Sequence, residues 1–276
     1  MHESTSGRTW IGDLGLDRLT QAQTIEAVDA LIRRERGGYV VTPNVDHLVL
    51  ATRHEALRRA HARAALSLAD GQPLVWMSRL LRAPVPEKVS GSDLLDPLMA
   101  YAARANRGVF FFGSTPDTLA IARERFEQSH PALRIVGQDT SFWRADDETP
   151  AEESRVVRAI RESGAEIVVL ALSCPRQEQW MERHADAIAP AVAFGLGASL
   201  DFAGGVVRRA PRWMSRAGLE WLYRLAQEPR RMAYRYLVRD MQALPIFARA
   251  LWNARIASRP VPRPTTTATV QESSTC

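Results

Sequence analysis

The stretch EIVVLALSCPRQEQWMERHADAI, residues 166–188, joins a short apolar run to a polar turn and a helical segment. Glu166–Leu172 is rich in Val, Ile and Leu and has the length of a buried strand. Polar residues follow in Ser173–Glu178, and Pro175–Ile188 is predicted as a helix. A buried strand that leads directly into a helix is the building unit of a parallel sheet with helices on both faces.

The same unit recurs along most of the chain. Further strands are predicted at Tyr39–Thr42, Ala65–Leu68, Val109–Phe112, Leu133–Val136 and Ala191–Phe194. Further helices are predicted at Leu19–Arg36, Val45–His61, Gly91–Asn106, Pro116–Gln128 and Ala151–Ser163. We therefore expect an α/β fold, a Rossmann-like parallel sheet flanked by helices, over residues 1–207.

From Ala210 onward the pattern changes to successive helices without strands. Pro229 suits the first turn of a helix and not its interior, so one helix is predicted to begin there. In the helix that follows, one face carries Tyr234, Leu237, Val238, Met241 and Leu244, and another carries Arg231, Arg235 and Arg239. We expect an Arg-rich, all-helical appendage over residues 208–257. The Pro-, Thr- and Ser-rich residues 258–276 are predicted to be a disordered tail.

Charge is distributed unevenly between these two parts. Residues 208–276 contain 13 arginines and four acidic residues, whereas residues 1–207 contain 23 basic and 27 acidic residues. A basic segment of this kind suits an anionic partner such as nucleic acid, phospholipid or a diphosphate. The sequence lacks a signal-peptide pattern and an apolar run of about 18 residues, and Cys174 and Cys276 make no disulfide framework. These features predict a soluble, cytoplasmic protein.

Polar and glycine residues follow five of the predicted strands. In order, these are Thr42-Pro43-Asn44, Asp70-Gly71, Gly113-Ser114, Ser173 to Glu178, and Gly195-Leu196-Gly197-Ala198 with Asp201. Each group alone is weak evidence, because turns commonly need Gly, Pro, Asn and Asp. Parallel α/β sheets bind ligands beyond the carboxyl ends of their strands, so the five groups together predict a binding site at that edge.

A longer series of motifs, running in the same order from about Thr42 to Leu237, resembles the WecG/TagA/CpsF family of bacterial glycosyltransferases. The motifs are Thr42-Pro43-Asn44, Ala69-Asp70-Gly71, Lys88 to Leu94, Pro175-Arg176-Gln177-Glu178, Gly195-Leu196-Gly197 with Asp201-Phe202, Arg209-Ala210-Pro211, Gly218 to Trp221, and Arg224-Leu225 with Glu228 to Arg231. Three positions depart from the usual family pattern. Lys88 stands where the family usually has Arg, Ser173 where it usually has Gly, and Ser114 in half of a usual Gly-Gly pair.

The resemblance implies an inverting, metal-independent transferase without a cofactor. It implies a UDP-sugar donor, with N-acetylmannosamine, its uronic acid or glucose as the sugar, and a polyprenyl-diphosphate-linked sugar as acceptor. The product would enter cell-surface polysaccharides such as teichoic acid, enterobacterial common antigen or exopolysaccharide. The enzyme would then lie peripherally at the inner face of the cell membrane, with an anionic membrane surface and a second copy of itself as candidate partners.

The residues with the clearest catalytic chemistry follow the first two main strands. Asp70 follows a buried strand, and its neighbour Gly71 allows close approach of a substrate, so we predict Asp70 as the base that takes the acceptor's proton. The alternative is a turn-forming Asp-Gly pair; the resemblance favours catalysis. Thr42 and Asn44 are predicted to orient a substrate, and Asn44 is equally suited to cap the following helix.

Donor binding is assigned mainly to basic and glycine residues. The sequence has no Asp-x-Asp pair to hold Mg²⁺ on a diphosphate, so we expect arginines and Lys88, the only lysine, to neutralise it, and no metal site. Lys88 precedes Gly91, whose helix offers a positive N-terminus; a solvated loop charge is the alternative. The predicted donor-binding residues are Lys88, Gly91, Gly113, Gln177, Gly197, Asp201, Arg224 and Arg231.

Two other functional classes fit the sequence less well. A nicotinamide-dependent enzyme would need a third glycine in helix-opening spacing after Gly195-Leu196-Gly197. A nucleic-acid-binding protein would need stacking aromatic side chains. Trp213, Trp221 and Tyr234 are the candidates, but we expect them to pack in the core and between helices, and we predict no nucleic-acid partner.

Two further features are assigned no chemistry. His47, His54 and His61 recur every seven residues, about 10.5 Å apart along one helix, which is too far for a shared metal ion. Cys174 has no histidine near it in sequence, so we expect a small apolar residue and not a nucleophile.

Overall fold

A six-stranded parallel sheet forms the centre of the fold, next to a short antiparallel hairpin. The computed structural model describes residues 7–141, 149–203, 205, 210–211, 214 and 218–256. The hairpin consists of β1 (Thr9–Ile11) and β2 (Leu14–Leu16). The main strands are β3 (Gly38–Val41), β4 (Leu66–Ser67), β5 (Gly108–Gly113), β6 (Arg134–Asp139), β7 (Ile167–Ala171) and β8 (Val192–Gly195). Their spatial order is β4-β3-β8-β7-β5-β6, and every neighbouring pair is parallel.

Helices alternate with these strands and then continue alone. The helices between residues 21 and 203 are α1 (Gln21–Arg33), α2 (Val45–Ala51), α3 (Glu55–Arg63), α4 (Gln72–Leu80), α5 (Gly91–Arg104), α6 (Pro116–Ser129), α7 (Pro150–Ser163), α8 (Arg176–His184) and α9 (Ser199–Ala203). The C-terminal part contains α10 (Glu220–Gln227), α11 (Pro229–Tyr234), a π-helical segment (Arg235–Arg239), a 3₁₀ turn (Asp240–Gln242) and α12 (Ala243–Ile256). The predicted fold class, a Rossmann-like sheet with a helical C-terminal segment, is confirmed.

The sheet is apolar on both faces because helices cover both. Along β5, Val109 and Phe111 point into the layer that contains α1, α5 and α6, whereas Phe110 and Phe112 point into the layer that contains α7 and α8. All four side chains are buried. This double covering is why the strands appear in the sequence as continuous apolar runs.

The predicted helix Val45–His61 is wrong, because the chain breaks it into α2 and α3. The amide groups of Thr52 and Arg53 donate to carbonyl groups only three residues back, which tightens the end of α2. His54 has an extended backbone and directly precedes α3, which begins at Glu55. The sequence analysis also missed α4 and the β1–β2 hairpin.

The hairpin supports the C-terminal helices. Ile11 and Leu14 share an apolar cluster with Ala243 and Ala250 of α12. Gly12 in the hairpin turn has φ +56°, and a Cβ there would lie 2.9 Å from the Cγ2 atom of Ile246. The turn therefore needs glycine both for its conformation and for this close approach.

Three remaining expectations concern the C-terminal part and the membrane. Pro229 is the first residue of α11, so the predicted helix boundary is confirmed. The boundary between residues 207 and 208 and the predicted disordered tail at 258–276 lie outside the described residues. Among the residues that the structure describes, no helix combines the length and apolarity needed to cross a bilayer.

Candidate active site

The carboxyl ends of four adjacent strands, in the order β4-β3-β8-β7, surround a polar cavity of about 290 Å³. The loop after each of these strands contributes to its wall, and the C-terminal helices close its other side. Lining residues include Thr42, Asn44, Asp46, His47, Asp70, Cys174, Gln177, Gly197, Glu220, Arg224, Arg235 and Arg239. Six predicted site residues, Thr42, Asn44, Asp70, Gln177, Gly197 and Arg224, are therefore brought together.

Asp70 is held at the end of β4 by backbone hydrogen bonds. Its amide donates to the carbonyl oxygen of Pro43 (2.9 Å), and the carbonyl oxygen of Ala69 accepts from the amide of Val89 (2.9 Å). Gly71, at φ +129°, then turns the chain into α4. Burial raises the pKa of the Asp70 carboxyl, and nearby Lys88 offsets part of that effect. A carboxylate with a raised pKa is a stronger proton acceptor once ionised.

Asn44 performs the capping role and also faces the cavity. Its Oδ1 atom accepts from the amides of Asp46 (3.0 Å) and His47 (3.4 Å) at the start of α2. The same oxygen accepts from Arg235 (3.3 Å). Neighbouring Thr42 is buried, and its hydroxyl donates to the carbonyl oxygen of Gly195 (3.4 Å). Both side chains are thus fixed in the cavity wall.

Gln177 links the loops that follow β7 and β8. Its Oε1 atom accepts from the amide of Gly197 (3.1 Å), and its Nε2 atom donates to Glu178 (2.8 Å). Gln177 is buried, and Gly197 has φ +49°. The observed role of Gln177 is therefore to shape the loop around Gly197 at the cavity wall.

The other predicted donor-binding residues lie elsewhere. Lys88 lines a second cavity, where its Nζ atom lies 2.9 Å from Asp93 and 3.2 Å from Glu220 of α10. A Cβ on Gly91 would lie 2.8 Å from the Ser199 hydroxyl, and one on Gly113 would lie 2.8 Å from the Ala171 carbonyl oxygen, so both glycines allow close packing. These two glycines and Asp201 are not among the residues that line either cavity. The side chain of Arg231 lies outside what the structure describes, and all of these donor roles stay predictions.

The sequence analysis missed an ion-pair cluster that joins the C-terminal helices to α2. Arg239 contacts both carboxylate oxygens of Asp46, at 2.5 and 2.8 Å, and Arg235 approaches Asp46 at 3.5 Å. Asp46 is buried, and both arginine side chains are at most one-third exposed. Asp240 lies 4.0 Å from Arg235, and burial raises its pKa to about 6.

This arrangement sets the orientation of the appendage. Of the Arg face predicted from the sequence, Arg235 and Arg239 point toward Asp46 of α2 and line the polar cavity. The apolar residues face outward instead. Eight large apolar side chains of the C-terminal helices are 42–65% exposed: Trp221, Leu222, Tyr234, Leu237, Val238, Met241, Leu244 and Trp252. The buried carboxylate of Asp46 on α2 explains this orientation, because a buried charge must be paired. Tyr234, predicted from the sequence to pack inside, is among the exposed side chains.

A second cavity of about 400 Å³ lies between α4 and the C-terminal helices. Apolar and aromatic residues contribute much of its wall: Val45, Pro73, Trp221, Tyr236, Leu237, Met241 and Phe247. Asn44, Asp70, Glu220, Arg224 and Arg235 line both cavities. Asp70 therefore lies where a polar cavity and a largely apolar one meet.

The break between α2 and α3 also brings together residues that the sequence analysis separated. The ring centroids of His47 and His61 lie 5.5 Å apart, although a continuous helix would hold these residues far from each other. His47, distant from Cys174 in sequence, lies beside it in the fold, with an imidazole nitrogen within 4.8 Å of the thiol sulfur. Burial raises the pKa of Cys174, and His47 lowers it only in part.

Burial lowers the pKa of both His47 and His61, but other neighbours reverse that effect at His47. It lowers the pKa of His61 to about 3. It would also lower the pKa of His47, but Cys174 and Glu178 raise that pKa well above its ordinary value.

Comparison with known proteins gives one family and two informative relatives. The profile of the "Glycosyl transferase WecG/TagA/CpsF family" matches residues 9–257. A protein of Bacillus spizizenii named N-acetylglucosaminyldiphosphoundecaprenol N-acetyl-beta-D-mannosaminyltransferase is 29% identical over 228 residues, covering 82% of this chain and 84% of that protein. A Staphylococcus aureus protein of the same name is 24% identical over 246 residues, covering 88% and 92%.

The ion-pair cluster yields a stability prediction. Asp46→Asn removes the carboxylate that pairs with Arg235 and Arg239, and we expect it to lower the free energy of unfolding by about 1–3 kcal/mol, since a partly buried charge loses its partner. Amide hydrogen exchange should quicken in residues 235–250. Glu127→Gln, which breaks an exposed pair with Arg123 on α6, is the control and should cost under ~0.5 kcal/mol. Equal effects of the two substitutions in urea unfolding would contradict the structural role of Asp46.

Proposed function

Because the chain belongs to the WecG/TagA/CpsF family of glycosyltransferases, we propose that it transfers N-acetylmannosamine from a UDP-sugar to a polyprenyl-diphosphate-linked N-acetylglucosamine. The choice of sugar and acceptor rests on the names of the two relatives; the uronic acid and glucose remain alternative sugars. The observation that carries the proposal is the position of Asp70, at the junction of a polar and a largely apolar cavity.

The polar cavity suits the donor. Arg224, Arg235 and Arg239 lie in its wall, and a guanidinium group binds phosphate oxygens through two parallel hydrogen bonds. The loops after β7 and β8 supply backbone groups and Gln177, in the edge position where parallel α/β folds hold nucleotides. We assign the UDP moiety to this cavity, with its anomeric carbon toward Asp70.

The apolar cavity suits a lipid-linked acceptor. Its wall combines aromatic and aliphatic side chains with Lys88, and this mixture fits an isoprenoid chain joined to a diphosphate. Because Asp70 lines both cavities, an acceptor hydroxyl placed there would face the donor's anomeric carbon. The two substrates would thus approach the same carboxylate from opposite sides.

In the proposed reaction, the ionised Asp70 accepts the proton of the acceptor hydroxyl. The hydroxyl oxygen forms the new bond to the anomeric carbon as the bond from that carbon to the UDP oxygen breaks on the opposite face, so the configuration inverts. The electron pair of the broken bond leaves with UDP. Arg224 and Arg235 lie on the wall shared by the two cavities, where they can stabilise the growing charge on the diphosphate. This step needs no metal ion.

The outward apolar face supports peripheral membrane binding. Eight large apolar side chains are exposed on the helices that enclose the apolar cavity, and three of them, Trp221, Leu237 and Met241, also line that cavity. The exposed Arg230 and Arg249 lie on the same helices and suit anionic headgroups. We therefore propose that the protein docks on the cytoplasmic face of the cell membrane through this surface, where its lipid-linked acceptor resides.

Asp70→Asn tests the catalytic assignment. We expect turnover to fall at least ~100-fold while UDP binding and the melting temperature stay near the wild-type values, because the amide retains the shape but cannot accept the proton. Product formation would be measured by mass spectrometry with UDP-N-acetylmannosamine and a short-chain lipid-diphosphate acceptor. Asp186→Asn, at a 96% exposed carboxylate, is the control. Turnover of Asp70→Asn equal to that of the control would remove Asp70 from the mechanism.

Chelation tests the proposed metal independence. We expect the transfer rate to persist after exhaustive treatment with EDTA, because arginine side chains take the role that Mg²⁺ plays on a diphosphate in other transferases. The rate would be compared before treatment, after treatment and after Mg²⁺ or Mn²⁺ is restored. Loss of activity that either ion reverses would contradict the assignment of diphosphate stabilisation to arginine.

Substitution of the outward face tests membrane docking. Val238 and Leu244 are about half exposed and line neither cavity, so we expect Val238→Gln/Leu244→Gln to reduce vesicle binding about tenfold or more through lost apolar burial. Activity on a water-soluble acceptor should be unchanged. Ile121→Gln, at an exposed position on α6, is the control.

Vesicle sedimentation would use neutral and anionic vesicles at low and high salt. Binding to anionic vesicles should weaken as salt rises, because salt screens surface charges. If the double variant and the control bind vesicles equally, this face is not the docking surface. Equal binding to neutral and anionic vesicles would exclude the arginine contribution.

A further inference from the structure

Three potential metal ligands from distant parts of the sequence meet beside the polar cavity, and two of them, His47 and Cys174, line it. His47 from α2, Cys174 from the loop after β7 and Glu178 from α8 place an imidazole nitrogen, a thiol sulfur and a carboxylate oxygen all within 4.8 Å of one another. His47 and Glu178 are buried, and Cys174 is partly exposed. None of these side chains has a role in the proposed transfer reaction.

The chemistry of these three ligands favours one class of metal ion. Sulfur, imidazole nitrogen and carboxylate oxygen are together the protein ligands of Zn²⁺, whereas Mg²⁺ and Ca²⁺ prefer oxygen ligands alone. Bonds of about 2.0–2.3 Å to such ligands place neighbouring ligand atoms well within 4.8 Å of each other, so small side-chain rotations suffice to close the site.

The hydrogen bonds around His47 prepare one of its nitrogens for a metal. The Nδ1 atom of His47 lies 2.9 Å from the Oδ1 atom of Asn44 and 3.4 Å from the backbone amide nitrogen of Asn44. The shorter contact favours the tautomer in which Nδ1 donates to Oδ1, which also accepts from the amide of Asp46. Such a bond directs the other nitrogen, Nε2, toward the ligand position. Nε2 lies 3.4 Å from the Oε1 atom of Glu178.

The side chain of Glu178 is a second, independent indication that a cation binds here. Its side chain is almost fully buried, yet its Oε2 atom has no hydrogen-bond partner among the described residues. Its Oε1 atom is held by Gln177 at 2.8 Å. A buried carboxylate oxygen without a partner is costly, and coordination of a cation is one way to satisfy it.

We propose that His47, Cys174 and Glu178 form a binding site for a thiophilic divalent cation, of which Zn²⁺ fits the ligands best. Binding displaces the thiol proton of Cys174 and any proton on Nε2 of His47, and these protons pass to solvent. Three protein ligands leave a fourth tetrahedral position, and because His47 and Cys174 line the polar cavity, that position opens toward it. Its ligands differ from the base of the transfer step, Asp70, although His47 and Cys174 line the cavity assigned to UDP.

Spectroscopy on the full-length protein with Co²⁺ as probe tests the site. We expect wild-type protein to give one equivalent of Co²⁺ with an intense thiolate-to-metal charge-transfer band and tetrahedral visible bands, both lost when Zn²⁺ displaces it. Cys174→Ser and Glu178→Gln should weaken binding at least ~100-fold, since loss of a direct ligand costs no less than loss of an outer hydrogen-bond partner. Cys276→Ser removes the other thiol and should bind as the wild type does.

A measurement on the wild-type protein avoids dependence on variants that fold poorly. Saturating Zn²⁺ should slow alkylation of Cys174 by a maleimide at least tenfold, while Cys276 in the same sample reacts at an unchanged rate; peptide mass spectrometry distinguishes the two. Co²⁺ binding without a thiolate band would place the ion at other residues and overturn the proposal. Unchanged alkylation of Cys174 in Zn²⁺, or wild-type affinity in a folded Cys174→Ser protein, would overturn it as well.

Discussion

The pairing of buried Asp46 with Arg235 and Arg239 is the constraint on which the site depends. A carboxylate taken from water into the first turn of α2 is stable only if a cation meets it there, and the C-terminal helices provide two. With the arginines directed inward, the apolar side of the same helices must face outward. One ion-pair cluster therefore sets both the polar wall of the cavity and the apolar outer surface.

The same constraint divides the binding region into two environments. On the side of α2 and the loops after β7 and β8, the cavity wall is polar; on the side of α4 and the C-terminal helices, it is largely apolar. Asp70 belongs to both because β4 is the edge strand next to β3, and its loop reaches both the sheet edge and the appendage. A glycosyl transfer between a nucleotide sugar and a lipid-linked sugar needs such a boundary, since one substrate is strongly polar and the other largely apolar.

The fold and much of the candidate site could be predicted from the sequence. The orientation of the C-terminal helices could not, for an identifiable physical reason. Strands covered on both faces appear as apolar runs, and the turn residues after them mark one edge, so the fold and the meeting of Asn44, Asp70 and Gln177 followed from local pattern. The orientation of the appendage could not be predicted from local pattern, because helical periodicity shows which residues share a face but not which face is buried. That choice depends on Asp46, 193 residues from Arg239.

The break at His54 shows a second limit of local pattern. Apolar spacing continues across it, and neither proline nor glycine marks it, so Val45–His61 resembled one helix. Only the folded chain shows that two helices form, which brings His47 and His61 together and leaves His47 beside Cys174. Potential metal ligands on separate loops are therefore hard to predict from the spacing of residues in a single helix.

The carboxylates around Arg235 also bear on how a diphosphate would be recognised. Asp46 and Asp240 nearly balance the charge of Arg235 and Arg239, so long-range attraction from this cluster is weak. The carboxylates nevertheless hold both guanidinium groups at the cavity, so that the entropy cost of ordering two long side chains is met during folding and not during binding. In the proposed reaction, selectivity for the leaving diphosphate then comes from short, directional hydrogen bonds formed by preorganised arginines, which gain strength as charge develops on the departing oxygen.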